Sequence, residues 1–245
     1  MFWFNITQMN LEQIQNGTIF LIDKPLDWTS FDVVNKIRWN IRKSYHLKKI
    51  KVGHAGTLDP KATGLLVICT GKFTKRIDEI QAESKVYTGI IKLGATTPTY
   101  DTESAEDQIF PIEHISEEMI HRTAEQFIGE IEQFPPAHSA VKVDGKRLYE
   151  LARAGKEIKL NPRKITIYEF RILKIEMPFM EFQVRCGRGT YIRSLAQDLG
   201  KALNSGAYLT ELRRTEIGNF LIEKADNSPL EISYFDHNAL QKKPE

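Results

Sequence analysis

The 245-residue sequence contains only two cysteines, Cys69 and Cys186, and each stands in an apolar, strand-like stretch. Two thiols so placed exclude a disulfide-stapled secreted fold, and they read as buried, reduced thiols in a cytoplasmic protein. The sequence also lacks clustered cysteines and histidines and any helix-spaced pair of metal ligands. A metal hydrolase built on His54, Asp59 and His138 therefore has little support, and no metal is expected. No apolar run approaches membrane-spanning length, and the initial Met-Phe-Trp-Phe-Asn-Ile-Thr lacks the basic start and continuous apolar stretch of a secretory signal. No membrane association is expected. There is no repeat at solenoid spacing and no low-complexity tract. Excess charge is small too: a net +2 does not by itself announce a nucleic-acid binder.

What is present is a globular composition, 41% hydrophobic with 10% aromatics, in a chain long enough for one large domain or a domain with a lobe. Charge is unevenly spread. Arg38, Arg42, Lys43, Lys48, Lys49 and Lys51 form a basic run, whereas Asp101, Glu103, Glu106, Asp107, Glu113, Glu117 and Glu118 make a later stretch acidic. A basic run is by default a solvated helix face, but this one leads directly into an unusual loop, which favours a phosphate-contacting surface.

The patterning predicts a strand over Thr18 to Ile22, a loop closed by Ser30 as a helix cap, and a helix with Phe31, Val34, Ile37 and Ile41 inward. A buried strand follows at Leu65 to Cys69, then a helix over Lys72 to Ile80 and a strand over Lys85 to Leu93. Gly94 to Ile112 reads as a polar loop and Ser116 to Ile128 as a helix. Ser139 to Val143, Asp144-Gly145 and Leu148 to Ala154 read as strand, turn and helix. Ile165 to Glu176 and Met180 to Cys186 are neighbouring strands, the second with Met180, Phe182, Val184 and Cys186 on one face. A helix capped by Thr190 carries the stripe Ile192, Leu195, Ala196, Leu199, and Arg193 falls off that stripe at a surface position. Leu209 to Phe220 is extended. The sum is an α+β protein with a large mixed, mostly antiparallel sheet flanked by helices.

The stretch that carries chemistry is Lys51-Val-Gly-His-Ala-Gly-Thr-Leu-Asp-Pro-Lys-Ala-Thr-Gly64. Its glycines permit backbone conformations closed to other residues, and Pro60 pushes Asp59 away from helical geometry toward an extended one. A carboxylate so placed is held in one setting, and His54, five residues earlier, can reach a ligand that Asp59 also reaches.

Together with Leu65-Leu-Val-Ile-Cys-Thr-Gly71, this loop resembles the catalytic motif of the TruB family of tRNA pseudouridine synthases. Four further segments resemble the family in its own order: Ile22-Asp-Lys-Pro-Leu-Asp-Trp-Thr-Ser30, Lys85-Val-Tyr-Thr-Gly-Ile-Ile-Lys-Leu-Gly94, Pro135 to Arg153, and Gly189-Thr-Tyr-Ile-Arg193. Five ordered matches are far more specific than one. The resemblance implies the pseudouridine synthase fold and isomerisation of uridine-55 in the TΨC loop of tRNA, without a cofactor. It implies Asp59 as nucleophile, Arg193 as its guanidinium partner and Tyr87 as the ring packed on the target base. His54 would fill the gap left by the flipped base, and Lys24, Tyr191 and Leu212 would line the pocket.

Expected boundaries are a lead-in over 1–17, a catalytic domain over 18–222 and a tail over 223–245. That tail is too short for the RNA-binding PUA domain many family members carry. The basic helix is then expected to supply more of the binding, with steep salt dependence. A monomer without an obligatory protein partner is expected. A guide-RNA-dependent synthase shares the catalytic core but generally needs the PUA domain. The competing function is a chaperone that binds and releases the tRNA T arm without required catalysis.

Overall fold

The structure is a computed structural model and describes residues 10–136, 142–143, 146–147 and 161–225. It divides into two compact units, one comprising residues up to Glu83 together with those from Glu216 onward, the other Ser84–Thr215.

In the first unit a helix the sequence did not announce, α1 (Leu11–Asn16), is closed by a capping box between Asn10 and Gln13. Strand β1 (Ile19–Lys24) pairs antiparallel with β3 (Ala62–Thr70), setting Ile22 opposite Leu66 and Lys24 opposite Gly64. The short strand β2 (Val52–His54) also pairs with β3. Leu65 to Cys69 are all 0% exposed because alternate residues feed two cores. Leu66 and Ile68 join Ile14, Phe20 and Ile22, whereas Leu65, Val67 and Cys69 join Ala55, Ile80 and Ile217.

Helix α2 (Ser30–Ser44) packs on the first core through Val33, Val34, Ile37 and Ile41. Two expectations change here. The cap is Thr29, in a capping box with Asp32, and Ser30 is buried inside the helix. Phe31 is 59% exposed, because it lies roughly 100° around the helix from the middle of the stripe formed by Val33, Val34, Ile37 and Ile41. The helix expected over Lys72 to Ile80 begins instead as a 3-10 turn (Gly71–Arg76), where the Thr74 hydroxyl donates to the Gly71 carbonyl, and becomes α-helical only in α3 (Ile77–Ala82).

In the second unit β4 (Lys85–Leu93) pairs antiparallel with β11 (Phe179–Cys186), β11 with β10 (Arg163–Glu176), and β10 with β7 (Gly129–Gln133). Strand β12 (Ala207–Ile217) lies beside β4, tied by the Thr210 hydroxyl to the Ile90 carbonyl and by that of Thr215 to Val86. Met180, Phe182, Val184 and Cys186 are buried, as the period-two pattern of β11 requires. Helix α4 (Glu117–Glu125) is capped by Ser116, and α5 (Ile192–Ala202) follows Tyr191.

Gly94 to Ile112 is less loop-like than its composition suggests, because β5 (Ala95–Thr96) and β6 (Gln108–Ile109) form a ribbon within it. A second ribbon joins β8 (Lys142–Val143) to β9 (Lys146–Arg147). The turn at Asp144-Gly145, the helix expected over Leu148 to Ala154, and His138 lie outside the described residues. The class is α+β, a large mixed sheet flanked by helices. Among the described residues no helix is long and apolar enough to cross a membrane.

Candidate active site

The Asp59 loop is clamped from both sides within the first unit. The Ser30 hydroxyl, buried at the start of α2, donates to the Leu58 carbonyl (3.0 Å) and accepts from the Leu58 amide (2.8 Å). On the other flank the Pro60 carbonyl accepts from the Asp27 amide (2.9 Å), and the Asp59 carbonyl from the Ala62 amide (3.1 Å). Asp59 is half-buried between these anchors. Gly64, the third residue of β3, has φ 101°, a conformation that a side chain would strain.

Lys24 is 0% exposed at the end of β1, and its ammonium donates to the carbonyls of Trp28 (2.6 Å), Pro25 (2.8 Å) and Pro60 (3.5 Å). A buried cation is tolerated only when its donors are satisfied in this way. It ties the residue after Asp59 to the loop before α2. His54 ends β2 opposite Ile68 and is half-buried.

Ser30 escaped the sequence reading because it looked like a cap. Ser30→Ala strips the partners from a buried backbone amide and carbonyl, which costs about 1–3 kcal/mol of stability. Loosening the segment before Asp59 is expected to lower kcat by roughly 10- to 100-fold. Thermal unfolding and single-turnover rates check both halves.

Within the second unit, Arg193 is 4% exposed despite its off-stripe position in the first turn of α5. Its Nη1 donates to the Thr99 carbonyl (3.0 Å), and its Nε lies 3.7 Å from Asp101 Oδ2, an ion pair in which both side chains are nearly sealed from solvent. Asp101 is itself fixed. Its Oδ1 accepts from the Glu103 amide (2.9 Å), and its carbonyl accepts from the Thr97 and Thr99 hydroxyls (2.8 and 3.3 Å). In the sequence Asp101 was one acid among seven; the signal that could have singled it out is the run Thr97-Pro98-Thr99, whose two hydroxyls donate to its carbonyl.

Tyr191, and not Thr190, occupies the residue before α5. Its backbone is gripped by buried Gln133, which accepts from the Tyr191 amide (2.8 Å) and donates to its carbonyl (3.0 Å). Tyr87 on β4 is 8% exposed and faces Val184 in register. The guanidinium of Arg214, itself 1% exposed on β12, lies 6.0 Å from the Tyr87 ring centre, within cation–π range. Arg214 was also missed; the residues that share its face of β12, Thr210, Leu212 and Glu216, give no sign of its burial. Leu212 is half-buried on the same strand.

Burial pushes the Cys186 thiol up to about 11 and raises that of Cys69 as well. Both stay protonated at pH 8, so native protein is expected to resist iodoacetamide and to take up two adducts only when unfolded, as read by mass spectrometry. Rapid alkylation of folded protein would contradict this. Among the described residues no three His, Cys, Asp or Glu side chains group so as to hold a metal ion.

The first unit carries a carboxylate on a clamped loop; the second carries a buried guanidinium paired with its own acid and an aromatic ring on a strand. The comparisons with known proteins concern the fold and the family. A chain of a Cbf5–Nop10–Gar1 complex is 34% identical with a TM-score of 0.63, covering 85% of this chain and 50% of that one. A chain of an H/ACA RNP bound to a substrate RNA containing 2′-deoxyuridine is 30% identical with a TM-score of 0.60, and this chain spans about half its length. The fold is that of the pseudouridine synthases.

The TruB family pseudouridylate synthase N-terminal domain matches residues 42–192, and the tRNA pseudouridylate synthase B C-terminal domain matches residues 193–236. The tRNA pseudouridine synthase B of Flavobacterium johnsoniae is 54% identical over 231 residues, 94% of this chain and 99% of the relative. That of Phocaeicola vulgatus is 52% identical over 209 residues, 85% and 89% of the two chains. The chain belongs to the TruB family of pseudouridylate synthases, and it is an isomerase.

Proposed function

We propose that this chain converts uridine-55 in the TΨC loop of tRNA to pseudouridine, acting alone and without a cofactor. The observation that carries the reading is the clamped Asp59 loop in a chain 54% identical to a protein named tRNA pseudouridine synthase B over 99% of that protein's length.

The reaction breaks the N1–C1′ bond of the uridine, turns the base, and forms a C5–C1′ bond. The hydrogen at C5 leaves as a proton and N1 takes one up, so atoms balance and nothing is consumed. A target base within a folded RNA loop must first be extruded, at a cost of a few kcal/mol of unstacking.

Asp59 is the nucleophile, attacking through its carboxylate, and Arg193 is its guanidinium partner. Tyr87 packs on the target base, with its hydroxyl available to the C5 proton. His54 fills the gap left by the extruded base. Lys24 and Tyr191 make polar contacts in the pocket, and Leu212 is its apolar wall. Asp101 is a positioning residue that acts through Arg193; the ion pair between them supports that role.

The test is incubation with unmodified tRNA transcript, then carbodiimide modification of pseudouridine and primer extension. A single new stop at uridine-55 is the expected result. No stop, or a stop elsewhere, overturns the assignment.

A further inference from the structure

The solvent side of α2 is not the plain charged face that its basic run suggests. From Lys36 to Lys51 the chain has seven lysines and arginines and no acid, and Lys36, Arg38, Arg42 and Lys43 lie on α2. Amid them Trp39 is 53% exposed, an unusual place for a large ring. The ammonium groups of Lys43 and Lys36 lie 4.6 and 5.7 Å from the centre of its ring. Beside it runs a groove of about 470 Å³, lined by Asp27, Trp28, Asp32, Asn35, Lys36 and Trp39. Trp28 is anchored, packed on the core beneath α2, so one wall of the groove is rigid.

The chemistry of this groove is selective. Two carboxylates in the lining disfavour a phosphate within it, while the α2 cations favour phosphates around it. Asp32 is held ionised by its bonds to the hydroxyl and amide of Thr29, which engage only Oδ2. Asp27 gives one oxygen to Lys61 at 2.7 Å. Each therefore keeps a second carboxylate oxygen as acceptor. A flat ring with N–H donors along one edge, attached to a phosphate backbone, complements indole, carboxylates and cations together. Among the bases guanine has that edge, a ring N–H beside an amino group, whereas uracil offers one N–H between two carbonyls.

We propose that this groove is a second RNA-contact site, which stacks an unpaired guanine of bound RNA on Trp39 while the α2 cations hold the neighbouring phosphates. The inference rests on the RNA-modifying reading above but uses none of the residues assigned to its chemistry.

Binding of end-labelled UUGUU and UUUUU, followed by fluorescence anisotropy at low salt, tests it in wild type, Trp39→Ala and Trp39→Phe. The wild type is expected to bind UUGUU roughly fivefold or more tighter than UUUUU, the lower end of what one stacked base contributes. Trp39→Ala should erase that difference and Trp39→Phe keep most of it. With tRNA, Trp39→Ala should raise KM about as much and leave kcat unchanged. Equal affinities in the wild type, a difference that survives Trp39→Ala, or an equal loss in Trp39→Phe overturns the proposal. Trp39 is half in solvent, so unchanged melting temperatures confirm that each variant is folded. A wild type that selects UUGUU but modifies no tRNA would sink the proposed function and leave the groove standing.

Discussion

Asp59→Asn is expected to abolish pseudouridine formation while leaving tRNA binding within about twofold of wild type. The amide has nearly the same shape, and the bonds that hold the loop, from Ser30 to Leu58 and from Asp27 to Pro60, do not involve the Asp59 side chain. The nucleophilic carboxylate is lost, and with it the negative charge. Removing a covalent nucleophile lowers kcat by roughly four orders of magnitude or more. Single-turnover kinetics with a parallel filter-binding titration separates the two effects. If Asp59→Asn kept a tenth of wild-type kcat, another group would have to attack the nucleotide.

The second large effect is expected at the Arg193–Asp101 pair. Asp101→Ala leaves a guanidinium buried without its acid, and removing one partner of a buried ion pair costs about 3–5 kcal/mol. For a chain of this size that lowers the melting temperature by roughly 10 °C. Turnover should fall with it, because Arg193 no longer has a fixed direction. Arg193→Lys separates stability from chemistry: the charge stays, but one ammonium cannot serve both the Thr99 carbonyl and Asp101 as a planar fork does. The lysine variant is expected to melt within a few degrees of wild type and to lose roughly 100-fold in kcat, with KM little changed. Asp101→Ala with unaltered melting and turnover would show that the pair positions nothing.

How far the sequence could be read follows the reach of each interaction. Elements whose pattern is local were legible: the alternation of Met180, Phe182, Val184 and Cys186 in β11, and the unbroken apolar run of β3. The class of fold and the family were legible from five ordered segments. Contacts closed over long sequence distances were not. Ser30 has the composition of a cap, and only its contact with Leu58, 28 residues on, turns it into a loop anchor. Arg193 lies off the apolar stripe of α5, yet Asp101 and Thr99, more than ninety residues earlier, roof it over. A helical period reports which side faces the helix's own core and is silent about a loop folded over the other side. Likewise Phe31 looks inward by its spacing to Val34, but the buried stripe is centred on Val33, Val34, Ile37 and Ile41 and leaves Phe31 on its flank.

The most direct test is release of tritium from tRNA labelled at C5 of its uridines, because loss of that hydrogen is required when the base is rejoined through carbon. Wild-type protein is expected to release one tritium per tRNA. None should be released with Asp59→Asn or from a tRNA whose uridine-55 is replaced by cytidine. Binding of the tRNA without release of tritium would contradict catalysis and leave a T-arm chaperone; release that persists after replacement of uridine-55 would place the reaction at another site.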